Sequence, residues 1–149
     1  MIDILVYLFE NYHDFDTHPK PAVLTRKLTA IGFEEDEVSD ALDWLDEVKA
    51  ARIPEIAGDR RAVRIYTAEE QQRLGVDCLN FIVFLEAANV ITPALRELVI
   101  ERGMVLDDAP LPLAKLKIIV LMVLWRREQD LEPLIVEELL YDANPELLH

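Results

Sequence analysis

A chain of 149 residues with 52% hydrophobic content is long enough to bury one sizeable core, or two small packed ones, without covalent staples. Its 29 acidic residues against 15 Lys and Arg give a net charge of −14, which disfavours phosphate backbones as default partners, because binding them requires cations that displace counterions. A single cysteine, Cys78, excludes a disulfide framework and removes the usual sign of an oxidising compartment.

Residues 2–12 read as a first helix, with Ile4, Leu5, Leu8 and Tyr12 at helical spacing. A polar loop over 13–21 holds two prolines and two histidines. A second helix is expected over 22–31, stopped by Gly32 in a C-cap position. The third, over 34–51, opens with acids that suit the positive end of the helix dipole. Between Glu34 and Lys49 there are eight acidic residues and one Lys. Val38, Ala41, Leu42, Leu45 and Val48 form its apolar stripe, with Trp44 on the shoulder. On the opposite face Asp36, Asp40, Asp43 and Glu47 form an acidic ridge.

Over 52–67 the pattern changes. Gly58-Asp59 marks a turn, and Val63-Arg64-Ile65-Tyr66 alternates with period two, so a short β-hairpin is expected. It is the one locally basic place, with Lys49, Arg52, Arg60, Arg61 and Arg64 against Glu55 and Asp59. Thr67 with Glu70 makes a capping box that starts a short helix, and a strongly apolar helix follows over 76–90. Thr92-Pro93 opens a helix over 94–104 as N-cap and first helical residue. After a linker at 107–112 comes the most apolar helix, 113–127, and then a last one over 132–141. Three helices and a hairpin are the order of a winged helix-turn-helix. The expected fold is therefore mainly α: a winged-helix-like unit over 1–67 with a short β-hairpin, and an all-helical unit over 68–149 packed against it.

The opening Met1–Leu5 carries no basic leader region, and the longest apolar run, 118–125, is eight residues, against about 20 needed to span a bilayer. A cytosolic protein is expected.

Several stretches are distinctive together: Asp3 to Glu10, Gly32-Phe33 followed by Ala41 to Leu45, Arg64 to Thr67, Phe84 to Glu86, Leu95 to Arg102, Leu116 to Leu124, Glu137 to Leu140, and the ending Leu147 to His149. From end to end and in order they resemble the bacterial Smg family. The resemblance implies a bacterial cytosolic protein of a family whose function is not known. It supplies no catalytic or ligand residues to carry over.

Reactive constellations are scarce. His13, Asp14, Asp16 and His18 place two imidazoles and two carboxylates within six residues, a set chemically suited to Zn²⁺. With no Cys or further His nearby to close a structural site, a plain interhelix loop is the simpler reading, and no metal or other cofactor is expected. Ser39 lies in no nucleophile elbow, Cys78 has apolar neighbours, and the four glycines are isolated, which leaves no loop to cradle a phosphate. Glu97 and Glu101 lie at i, i+4 on one helix with Arg96 and Arg102 around them, as on a solvated salt-bridged surface.

The composition thus points to a non-enzymatic interaction module. Asp36, Asp40, Asp43 and Glu47 are its expected protein-binding residues, and a basic protein surface is the expected partner. The alternative is a nucleic-acid-associated protein using Arg60, Arg61 and Arg64 as a basic wing. Groove reading by the third helix is excluded by sign, because its acids would face phosphates. A membrane is not an expected partner, and self-association through the apolar second half stays open.

Overall fold

The computed structural model of the chain describes residues 1–12, 20–52, 64–127 and 129–141. They form seven helices: α1 (Ile2–Tyr12), α2 (Pro21–Ile31), α3 (Glu35–Ala50), α4 (Ala68–Ala87), α5 (Pro93–Met104), α6 (Leu113–Arg126) and α7 (Pro133–Tyr141).

The helix ends follow local chemistry. Pro21 starts α2 with its fixed φ at a position that needs no N–H donor. Gly32 ends it at φ 124, a conformation side chains rarely adopt, and the Phe33 N–H returns to the Leu28 carbonyl. Thr67 and Glu70 complete the capping box at the start of α4, each side chain accepting from the other residue's backbone N–H. The Thr92 hydroxyl accepts from the Leu95 N–H and Pro93 takes the first position of α5. At the end of α3 the Arg127 guanidinium donates to the carbonyls of Lys49 and Ala51, at 2.8 and 2.9 Å, placing a cation on the negative end of the dipole.

α6 organises the molecule. Every residue from Leu116 to Arg126 is buried, and α1, α3, α4, α5 and α7 all pack against it. A helix with apolar residues on all sides can be stable only when wrapped in this way. Each fully buried Leu, Ile or Val contributes about 1.5–3 kcal/mol relative to exposure, so this one element carries a large share of the core. From α1, Ile4, Leu5 and Leu8 are buried, and the Phe9 ring meets the Trp125 ring edge-on at 5.5 Å. α2 reaches the core through Leu24 and Leu28 and packs on α3.

α4 is two helical pieces in one. Gly75 sits at φ 81, ψ 163, outside helical geometry, and a Cβ there would lie 3.0 Å from the Cβ of Pro110. The connection from α5 to α6 straps across this break. The Leu111 N–H donates to the Arg73 carbonyl at 2.8 Å, and the Cys78 thiol donates to the Leu111 carbonyl at 3.1 Å. The separate short helix and apolar helix expected from the sequence correspond to the two pieces.

The expected β-hairpin and winged-helix-like unit are not the fold. Among the described residues there is no strand: Arg52 and Arg64–Thr67 are irregular, and residues 53–63 lie outside those described. A half-buried strand would turn Ile65 inward and Arg64 outward. The opposite holds, with Ile65 87% exposed and the Arg64 guanidinium bonded to Glu70 and Glu97. Glu70, six residues on, and Glu97, 33 residues on, draw the charged side chain in, so the period-two pattern marks no strand. The protein is mainly α, as far as its residues are described.

Candidate functional site

The outer face of α3 is built by periodicity. Val38, Ala41, Trp44, Leu45 and Val48 are buried against the rest of the molecule, which leaves Asp36, Asp40, Asp43 and Glu47 exposed along the far side. Trp44, expected on the shoulder, is only 4% exposed and belongs to the hydrophobic core, with the Arg102 guanidinium from α5 over its ring at 5.9 Å. The four ridge acids do not share one situation. Glu47 accepts from Arg102 at 2.6 Å. Among the described residues, Asp36, Asp40 and Asp43 form no ion pair. Three carboxylates spaced along one face therefore show bare charge to solvent, and Glu47 stitches α3 to α5.

A second group of charges lies where α4, α5 and residues 64–67 meet. Arg64 donates to both oxygens of Glu70 and to Glu97, with its Nη2 at 2.8 Å from Glu70 Oε2 and 3.0 Å from Glu97 Oε1. Arg96 donates to Glu97 at 2.7 Å and to Glu86 at 3.0 Å through the second oxygen. The order Glu70, Arg64, Glu97, Arg96, Glu86 alternates in sign, so every cation lies between two anions. The hydrogen bond from Arg64 is the main cause that holds the Glu70 carboxyl down at about 2, and the same bond raises the Arg64 guanidinium. Burial pushes the Glu97 carboxyl up, but the bonds from Arg64 and Arg96 outweigh it and leave it lowered. Tyr66, beneath the Arg64 guanidinium at 4.6 Å, is raised by burial. Glu97 belongs to this cluster rather than to a solvated face, and Arg96 and Arg102 are buried.

Cys78 is buried at the α4 break, and burial pushes its thiol up to about 11, which leaves almost no thiolate at neutral pH. Ser39 is exposed on α3 among acids, with no His or Lys beside it in the sequence. Among the described residues, no group of three or more His, Cys, Asp and Glu side chains is placed to hold a metal ion. His13, Asp14, Asp16 and His18 lie outside the described residues, as do Arg60 and Arg61. Arg64, the third arginine of the expected wing, is the hub of the ion cluster. No helix among the described residues is long and apolar enough to cross a membrane. Sequence reasoning missed the cluster because its bonds from Arg64 to Glu97 span 33 residues. The capping box at Thr67 was the only local hint that Glu70 is held.

These features define a small helical protein with a buried central helix, charges clamped on one side and an acidic face on another. All 149 residues match the family described as "Protein of unknown function (DUF494)". The chain is 48% identical to the Protein Smg homolog of Aromatoleum aromaticum over 149 residues, covering 99% of this chain and 97% of that one. With the Protein Smg homologs of Leptothrix cholodnii and Azoarcus sp. the identities are 44% and 46%, each over the full length of both chains. The chain belongs to the Smg family, as its end-to-end resemblance implies. No solved structure matches it.

Proposed function

We propose that this protein is a non-enzymatic interaction module of the cytosol, an adaptor that recognises a basic protein surface through the outer face of α3. The observation that carries the reading is the contrast between its acids. Glu70, Glu86 and Glu97 are neutralised by arginines inside the fold, whereas Asp36, Asp40 and Asp43 stand exposed without such pairing among the described residues. Uncompensated charge on a rigid helix speeds encounter with a surface of opposite sign and weakens steeply with salt. The buried Cys78, with its raised thiol, supports the non-enzymatic part of the reading.

Affinity capture from host lysate, with and without nuclease, tests this. Wild type is run beside Asp36→Asn/Asp40→Asn/Asp43→Asn and beside Arg60→Glu/Arg61→Glu. A nuclease-resistant, salt-sensitive partner lost only with the Asn variant is the expected result. If the Asn variant keeps every such partner, or if recovery depends on nucleic acid and on Arg60 and Arg61, the reading fails.

A further inference from the structure

The second half of α4 turns an apolar arc to solvent. Val76, Val83, Phe84 and Ala87 recur at i, i+7, i+8 and i+11, all exposed, with the polar Asn80 among them; Val76 is at 69%, Val83 at 55% and Phe84 at 62%. The opposite face of the same piece, Cys78, Ile82 and Leu85, is buried.

α7 extends this surface. The Phe84 ring stacks near Phe81 at 6.3 Å, and Phe81 in turn lies over the Lys117 ammonium at 5.5 Å. That ammonium reaches Glu138 of α7 at 3.4 Å, which sets α7 beside the Phe81 edge of the arc. Leu134 and Tyr141, four residues before and three after Glu138, share its side of α7 and are 76% and 58% exposed. Large apolar side chains gathered on one exposed surface mark an interaction site.

The charges around it select the occupant. Asp77 borders the arc on α4 and Glu137 stands exposed on α7, neither in an ion pair among the described residues, whereas Glu138 is paired with Lys117. Arg73 is the one base on either helix, and its guanidinium donates to the Leu106 carbonyl at 2.6 Å. A second copy would set these acids against themselves. We propose that α4 and α7 together dock an amphipathic helix of a partner protein whose apolar side chains cover Val83, Phe84 and Leu134 and whose flanks carry Lys or Arg. The site uses different helices from the α3 ridge and does not depend on it.

The test is titration of the full chain with a labelled, end-capped synthetic helix about five turns long, with Leu at i, i+3, i+4 and i+7 and Lys elsewhere. One comparison peptide scrambles the Leu positions, and another replaces Lys by Glu. The expected result is binding of the Leu/Lys helix over both comparison peptides. Val83→Ser/Phe84→Ser should weaken it at least about tenfold, the loss typical of removing a central apolar anchor. Leu134→Ser should weaken it less, and Asp36→Asn/Asp40→Asn/Asp43→Asn should leave it within about threefold. Both Ser sites are exposed, so an unchanged thermal melt confirms the fold. The inference is overturned if wild type does not bind, if the scrambled peptide binds equally, or if Val83→Ser/Phe84→Ser binds like wild type. A dimer in sedimentation that the Ser variant dissolves would overturn it too, because a second copy would then cover the surface.

Discussion

The acids of α3 and those around α5 are all carboxylates, yet they have opposite fates. Glu70 and Glu97 are each gripped by an arginine from a different segment, so their charge holds the fold together. Asp36, Asp40 and Asp43 face solvent, and their carboxylates form no ion pair within the described residues. Net charge therefore says little about what a surface can attract. The pairing of each carboxylate decides whether its field is spent inside the molecule or projected outward.

The contrast breaks most visibly at Arg96. Its side chain is 11% exposed and lies between Glu86 and Glu97, so Arg96→Ala strips the partly buried Glu86 of its cation and leaves Glu97 with Arg64 alone. A loss of about 3 kcal/mol is expected, read as a lower midpoint in urea denaturation. Acid tests the same cluster at Glu70. Its folded carboxyl titrates at about 2 against an ordinary 4.5. The stability it contributes is complete above the unfolded value and is lost as pH falls from about 4.5 toward 2. About 3 kcal/mol is at stake, counted once for the Arg64–Glu70 pair. Urea midpoints measured between pH 6 and 2.5 should drop for wild type and drop less for Glu70→Gln.

Glu47 lies between the two regimes. Glu47→Gln leaves the buried Arg102 guanidinium with Glu101 at 3.5 Å as its remaining carboxylate, which should cost about 1–2 kcal/mol, again in urea. The smallest effect belongs to the ridge. Asp36→Asn/Asp40→Asn/Asp43→Asn loses a favourable dipole contact at Asp36 and relieves like-charge spacings of three and four residues. The net change should stay within about 0.5 kcal/mol in a thermal melt. A ridge variant as damaging as Arg96→Ala would erase the distinction between the two regions.

How much of this was legible in the sequence depended on how far apart the interacting residues lie. The stripe of Val38, Ala41, Leu45 and Val48, the caps at Thr67 and Thr92, and the stop at Gly32 are local signals, and the helices begin and end within a residue or two of them. α6 announced itself by apolar density, though its contacts reach both α1 and α3 as well as the later helices. The failure at Val63-Arg64-Ile65-Tyr66 has a definite cause. Alternation reports a strand only if the apolar set is the buried set, and here Glu70, six residues on, and Glu97, 33 residues away, reverse the faces by holding Arg64 inward. The ridge was visible as a pattern, but the separate role of Glu47 was not. Arg102 lies 55 residues further on, and nothing local announces it.

The central position of α6 also fixes how the molecule can come apart. Its backbone amides from Leu116 onward lie beneath five other helices, so no small opening near the surface exposes them to deuterium. They exchange only when the whole structure lets go, and their protection reads the global unfolding free energy directly. A cut between α3 and α4 would strip partners from α6 and leave neither fragment with a closed core. The described helices are in this sense expected to unfold as one cooperative unit.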